Sequence, residues 1–384
     1  MKDHPIRHLK ISNYRSLSSL EIPGLAPFSV FAGLNGSGKS NLVDALEFVG
    51  QVIRFGATHA IRRHGGYDGI RSAKLEAPEN QRFQFGVEWD FQSPMDNEQH
   101  PTRYCLTIEG LNHTPVIREN LRIGGSVGLD RTGSGTIRVK FGNDTREIKD
   151  FSDSHPALGF FLTVPVAKAL GGIDVFRIDP RMVKRPNPAD ADPTALWSDG
   201  SNLATVLSRM ETDPRHRELR DAIADWMGMI VPGIEKIATE RQSIDQSTGL
   251  LFREHGTSHR FPAKLMSDGT MYALGILVAA LDRRDDFGIT VIEEPERGLH
   301  PSAIGELVGL LRETARATRP IWLTTHSESV VSRLRIEELI LVDKVEGGTR
   351  MTRADRRGLD DNELVDVGLE RAWLSNLLGG GLPW

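Results

Sequence analysis

Residues 33–40 read GLNGSGKS, and this stretch decides the fold class. It follows the apolar run PFSVFA at 27–32 and precedes a segment in which Leu42, Ala45, Leu46 and Val49 recur at helical spacing. A strand that runs through a glycine-rich turn into a helix is the context a Walker A phosphate loop requires. Gly33, Gly36 and Gly38 let the backbone curl close to an anion. The main-chain amides from Gly33 through Leu34, Asn35, Gly36, Ser37 and Gly38 to Asn41, at the start of the helix, can then cradle phosphate oxygens. In that reading Lys39 neutralises the β/γ-phosphates and Ser40 places its hydroxyl on Mg2+. The bland alternative is a glycine-rich turn with a chance lysine, and the flanking strand and helix speak against it.

Two later strands end on matching chemistry. In ITVIEEPERGLHP (289–301), four mostly β-branched apolar residues deliver Glu293 and Glu294 to the end of a strand. Adjacent carboxylates there are unfavourable unless they are solvated or serve a cation or a proton donor. Glu293 can hold Mg2+ directly or through water, and Glu294 can orient or deprotonate an attacking water. In IWLTTHSESV (321–330) a strand ends at Thr325 and His326, a residue able to hydrogen-bond toward a γ-phosphate. A fourth feature, LMSDGTMYALGILVAAL (265–281), sets Ser267, Asp268, Gly269 and Thr270 before an apolar helix. Ser267 or Asp268 can cap that helix, and its N-terminus can approach an anion.

Outward from these motifs, LKISNYRSLSSLEI (9–22) alternates as a strand, and from about 81 to 150 the runs RFQFGVEWDF, RYCLTIEGL, TPVIRENLRI and GTIRVKF predict antiparallel sheet. From 158 to 245 the spacing turns helical, clearest in SNLATVLSRM and HRELRDAIADWMGMI, with Ser201 and Pro214 near helix starts. GLLFREHG (249–256) reads as a short strand. Alternation of strand and helix near both ends predicts one mostly parallel core assembled from the two termini. The expected organisation is a composite head over 1–345, with antiparallel sheet at 81–150 and a mainly helical inserted lobe at 158–260, completed by a C-terminal strand and helix in 346–384.

Composition bounds the function. The 384 residues are 39% hydrophobic, enough for a large core, and the single Cys105 excludes an internal disulfide and a multi-cysteine metal hook. No stretch approaches 18 uncharged apolar residues and the start has no signal-peptide core, so the reading is a soluble, cytoplasmic protein with no membrane partner. A formal charge of -5 removes the simplest argument for nucleic-acid binding but leaves room for a local basic groove. The loop IRRHGGYDGIRSAK, with Arg62, Arg63, His64, Arg71 and Lys74, is the better basic surface; the connector with Arg177, Arg181, Lys184 and Arg185 is either a second basic edge or a salt-bridged linker.

In order, Walker A, SDGT, EEPERGLHP and TTHS resemble the ABC-type ATPases of the RecF, SMC and Rad50 group. They look most like the stand-alone AAA15/AAA21-type ATPases found beside the overcoming-lysogenization-defect nucleases. The resemblance is strong over about 1–50 and 260–345 and broad in between. It implies an α/β P-loop NTPase of the ABC/SMC-head type with a mixed core sheet, an antiparallel N-terminal subdomain and a helical inserted lobe. ATP and Mg2+ are the implied ligands. Lys39 and Ser40 match the phosphate and magnesium contacts, Glu293 the Walker B acid, Glu294 the catalytic base and His326 the switch histidine. The family commonly has aspartate where Glu293 stands, so the carboxylate here has a longer reach.

MSDGT would be the signature loop whose Ser267 and Gly269 complete the partner subunit's site, so that a homodimer sandwiches two ATP molecules head to tail; higher assembly is compatible with this. Asn13 and Arg15 resemble residues that meet the nucleotide, and Gln81 and Gln84 are the candidates for the Q-loop. The implied role is an ATP-driven switch for DNA repair or anti-phage defence, acting on DNA or through a separate nuclease or toxin-like effector. The alternatives are an ATP-dependent structural DNA-binding protein with little intrinsic hydrolysis and a self-contained nuclease. The 58 residues after His326 are too few for a toprim domain. A transporter subunit would carry an LSGGQ-like loop where MSDGT stands.

Overall fold

The computed structural model describes residues 4–92, 99–133, 135–141, 144–161, 164–282, 285–357 and 367–378. Strands β1 (Ile6–Tyr14) and β2 (Leu17–Leu25) form a hairpin, and β3 (Phe28–Ala32) leads through the glycine loop into α1 (Lys39–Phe55). The short helices α2 (Ala57–Arg63) and α3 (Gly66–Ile70) follow. Strands β4 (Arg82–Gln92), β5 (Gln99–Glu109), β6 (Val116–Ile123), β7 (Ser126–Arg131), β8 (Gly135–Phe141) and β9 (Asp144–Phe151) then continue the hairpin into an eight-stranded antiparallel sheet in the order β2-β1-β4-β5-β6-β7-β8-β9. The alternating runs read from the sequence are these strands. One face is buried, with Phe83, Phe85, Val87 and Trp89 of β4 all nearly inaccessible. It closes over α1, where Phe48 meets Phe83 edge-on at 5.0 Å and Tyr14 at 5.8 Å.

Helix α4 (Pro165–Gly171) precedes β10 (Ile173–Phe176), and α5 (Pro180–Val183), α6 (Leu203–Thr212) and α7 (Arg217–Ile230) make the helical part of the insertion. A three-stranded antiparallel sheet follows, β11 (Ile234–Arg241), β12 (Thr248–Glu254) and β13 (Arg260–Pro262). The inserted segment is thus mainly helical, with its helices ending at Ile230, while β10 belongs to the central sheet and the small sheet closes the insertion. Four residues are too few to display a strand period, which is why IDVF does not stand out in the sequence.

Helix α8 (Asp268–Leu281), β14 (Ile289–Glu293), α9 (Pro301–Thr314), β15 (Ile321–Thr325), α10 (Glu328–Val331), β16 (Leu339–Val345), β17 (Gly348–Arg353) and α11 (Leu369–Leu374) complete the described chain. The central sheet runs β10-β14-β15-β3-β16-β17, parallel except for the last pair. Its strands are buried on both faces, as β-branched runs such as ITVI require in a covered parallel sheet. Helix α8 is apolar all round and buried from Thr270 to Ala280, so it is a core element. The two ends of the chain do meet, since β3 lies between β15 and β16. Of the acidic stretch LDDNELVDVGLE (359–370), residues 359–366 lie outside the described residues. Among the described residues the longest helix is α1, at 17 residues, and no helix is long and apolar enough to cross a membrane.

Candidate functional site

Parallel strands point their carboxyl ends the same way, and three adjacent ones converge here. The register sets Glu293 opposite Thr324 and Thr325 opposite Ala32, so the glycine loop, the carboxylate pair and His326 all leave the same edge of the sheet. The Gly33 N–H donates to the Thr325 carbonyl at 3.3 Å, stitching the loop to β15.

The loop needs its glycines for named reasons. A Cβ on Gly33 would lie 2.2 Å from the Val342 carbonyl oxygen. Gly38, at φ 109°, would put one 1.9 Å from Thr349 Oγ1. Thr349 Oγ1 donates to the Ser37 carbonyl at 2.9 Å, so β17 braces the loop from behind. Gly36 also has positive φ, and α1 begins with no side-chain cap. The Ser37 hydroxyl oxygen is buried without a hydrogen-bond partner. A curled loop, an uncapped helix start and an orphaned buried hydroxyl fit a bound polyphosphate. Lys39 Nζ donates to the carbonyls of Gly33 (2.7 Å) and Leu34 (2.9 Å). Burial lowers its pKa, opposed by the attraction of Glu294, Glu296 and Glu293.

Ser40 Oγ donates to Glu293 Oε2 at 3.3 Å, joining the Walker loop to the end of β14. A hydroxyl and a carboxylate side by side are a hard-oxygen pair that suits Mg2+. Glu294 sits at φ 49°, a left-handed conformation uncommon for a residue with a side chain. The turn is held by the Glu294 N–H to the Thr324 carbonyl (2.9 Å) and by Tyr272 of α8, whose hydroxyl donates to the carbonyls of Glu293 (3.0 Å) and Glu294 (2.8 Å). The Glu294 side chain stays accessible, with Oε1 3.2 Å from His326 Nδ1. Glu296 lies behind them, almost fully buried. Its Oε1 accepts from Thr325 Oγ1 at 2.6 Å and lies 4.0 Å from His326 Nδ1, while Oε2 is buried without a partner. Burial raises the Glu296 pKa against the opposing hydrogen bond from Thr325.

Ser267 caps α8, its hydroxyl accepting from the Thr270 N–H at 3.0 Å. A Cβ on Gly269 would lie 2.3 Å from the Gly298 carbonyl oxygen, so glycine is needed where α8 crosses the turn after Glu296. Asp268 pairs with Lys184 at 2.5 Å, which holds its pKa below the ordinary value. These contacts of Ser267 and Gly269 run to Thr270 and Gly298 and not to loop 33–40.

Asn13 is corrected. It is fully buried at φ 59°, donates to the carbonyls of Glu79 (3.2 Å) and Arg82 (2.7 Å), and accepts from the Ser72 N–H (2.7 Å). Its amide ties three chain segments together, and the residue is inaccessible from the surface. Arg15 donates to the Gly69 carbonyl at 2.8 Å and pairs with Asp44 on α1. Gln81 ends a turn and its carbonyl accepts from Leu111, while Gln84 lies between Ser12 and Thr107 in the eight-stranded sheet. Of the two readings of the connector, the salt-bridged linker holds for Arg177, which pairs with Asp44, Glu47 and Glu293, and for Lys184, which pairs with Asp268, while Arg181 and Arg185 are exposed. In the other basic loop His64 bonds Tyr14, Arg71 pairs with Asp68 and Lys74 reaches the Glu346 carbonyl, and Arg62, Arg63 and Lys74 are exposed.

Sequence reasoning missed Arg177, Tyr272 and Glu296 as parts of the site. For Arg177 the sequence offers little signal, because the IDVF strand it follows is short and interrupted by Asp174.

The fold is the α/β architecture of ABC/SMC heads, and its Walker loop stands at the end of a central parallel strand, where a nucleotide's phosphates are held in a P-loop fold. Within it, the chain belongs to the family described as "AAA domain, putative AbiEii toxin, Type IV TA system", whose model matches residues 28–95 and 117–332. The DNA replication and repair protein RecF of Cutibacterium acnes is 33% identical over 91 residues, a match spanning 20% of this chain and 23% of RecF. The structure of an SMC head bound to the C-winged helix domain of ScpA aligns over 90% of this chain and 97% of its own, with TM-score 0.55 and 15% identity. The Pyrococcus furiosus SMC head with an extended coiled coil, bound to the C-terminal domain of ScpA, aligns over 90% and 95%, with TM-score 0.54 and 14% identity. At such identities the likeness is one of fold.

Proposed function

We propose that this chain is a Mg2+-dependent ATPase switch that assembles head to head on ATP and controls a repair or anti-phage defence activity through a separate effector. The observation that carries the reading is the convergence of Ser40 with Glu293 and of Glu294 with His326 at one edge of the sheet, 3.3 and 3.2 Å apart respectively. Loop 33–38 and Lys39 bind and orient the triphosphate. Ser40 and Glu293 would hold Mg2+, which would supply positive charge to offset that of the phosphates. Glu294 accepts the proton of the attacking water on Oε1, and His326 Nδ1 orients that carboxylate. Tyr272 keeps both glutamates in register by holding their carbonyls. The terms toxin and toxin-antitoxin in the family description, and replication and repair in the name of RecF, support an effector or DNA as partner.

The composite site is tested by mixing two inactive chains. Lys39→Ala and Ser267→Arg each disable both sites of a homodimer. Their heterodimer keeps one site with an intact loop and an intact signature. Recovery of phosphate release on mixing is the expected result, and no recovery at any ratio would sink the head-to-tail arrangement.

A further inference from the structure

Arg177 stands one residue past β10, its backbone N–H fixed to the Ser198 carbonyl at 2.7 Å. Each of its three side-chain nitrogens donates to a different carboxylate. Nε reaches Glu293 Oε1 at 2.7 Å, Nη1 reaches Glu47 Oε2 at 2.8 Å and Nη2 reaches Asp44 Oδ1 at 2.5 Å. Asp44 and Glu47 lie three residues apart on one face of α1, the helix that the Walker loop opens. The remaining oxygens of the three acids are also engaged. Asp44 Oδ2 takes Arg15, Glu47 Oε1 takes the Gln51 amide at 3.3 Å, and Glu293 Oε2 takes the Ser40 hydroxyl. Arg177 therefore claims one oxygen of Glu293 and leaves the other facing Ser40. Burial opposes the Arg177 charge, but the hydrogen bond with Glu47 and the attraction of Glu293, Glu47 and Asp44 outweigh it and hold its pKa above the ordinary value.

We propose that Arg177 is a positioning residue for Glu293: it pins Oε1 against α1 so that Oε2 is presented beside Ser40, and it thereby sets the affinity of the site for its divalent cation. The proposal rests on the ATPase reading above. A glutamate has one more rotatable bond than an aspartate, so its carboxylate needs an external restraint to point one way. A guanidinium supplies that restraint because its donors form a rigid planar fork, whereas an ammonium is a point charge on a flexible stem.

The test measures Mn2+ affinity by electron paramagnetic resonance on the full chain with a non-hydrolysable ATP analogue, alongside analogue binding in EDTA and thermal melting. Removing an outer partner of a metal ligand weakens metal binding on the order of tenfold, and Arg177→Met is expected to do so. Analogue affinity in EDTA should stay unchanged, and Arg177→Lys should not restore Mn2+ binding. In a Glu293→Asp background the shorter side chain no longer reaches the fork, so adding Arg177→Met should change Mn2+ affinity little. Should Arg177→Met fail to fold, the pair Asp44→Asn and Glu47→Gln frees the guanidinium from α1 and should weaken Mn2+ binding in the same direction. Undiminished Mn2+ affinity in folded Arg177→Met, or the same loss in both backgrounds, overturns the assignment. If Glu293→Gln also leaves Mn2+ binding intact, the ATPase reading itself fails.

Discussion

Arg131 and Arg177 are both held by carboxylates, yet the two networks are built differently. Arg131 and Glu119 are each fully buried in the eight-stranded sheet and bond largely to backbone. Arg131 donates to the carbonyls of His155 and Ser152, both at 2.8 Å, and Glu119 accepts from the N–H groups of Ala157 and Leu158 and from the Tyr104 hydroxyl. The pair locks the connector at 152–158, which in turn receives the Ala57 N–H on the Ser154 carbonyl at the end of α1. The Arg177 side chain is about one-third exposed and binds only carboxylate side chains, and one of these, Glu293, also meets Ser40 of the Walker loop. Full burial with backbone partners makes a clamp. Partial exposure with side-chain partners makes a mounting that holds a functional group without closing it off.

The largest expected effect on stability comes from breaking the clamp. Arg131→Met leaves Glu119 buried beside an apolar chain, and loss of one partner of a buried ion pair costs about 3–5 kcal/mol. Denaturant melts should show that loss while the folded fraction keeps its nucleotide affinity; a change in affinity without a change in stability would break the contrast with Arg177. Gly269→Ala is next. Its Cβ cannot fit 2.3 Å from the Gly298 carbonyl, and overpacking of this kind costs about 1–3 kcal/mol, read as a lower denaturation midpoint. Tyr272→Phe removes the bridge to the Glu293 and Glu294 carbonyls. A neutral hydrogen bond contributes about 1 kcal/mol, so stability should fall by about that amount and turnover more than nucleotide affinity.

The smallest effect is a dependence on pH. Burial raises the Glu296 pKa above its usual 4.5, so the carboxyl stabilises the fold fully below that value and loses its contribution as pH rises through the raised value. Glu296→Gln cannot ionise. The melting temperature of the variant relative to the native chain should therefore climb with pH above the ordinary carboxylate range, and a difference independent of pH would contradict the raised pKa.

What was legible in the sequence were the places where a complete local unit carries its own chemistry. PFSVFAGLNGSGKS, ITVIEE and IWLTTH each combine a strand with the functional turn that ends it, and the structure brings all three to one edge. Asn13 misled because burial is decided by residues far along the chain, and its partners at 72, 79 and 82 are not foreshadowed by its neighbours. The sequence left Arg177 between a basic edge and a salt-bridged linker for a similar reason, since its three acids lie 133, 130 and 116 residues away. The Glu296 side chain is 8% exposed and that of Glu294 39%, although they stand two residues apart, and neither this difference nor the positive φ at Glu294 is marked in the sequence.

The account turns on Glu294 acting in a site that binds ATP without it. The most direct measurement compares equilibrium ATP binding and single-turnover phosphate release for the native chain and Glu294→Gln in the presence of Mg2+. Loss of a general base typically lowers the rate about 10²–10⁴-fold, so phosphate release should collapse by that order while ATP binding persists. Equal phosphate release by both chains, or failure of the native chain to bind ATP, would contradict it.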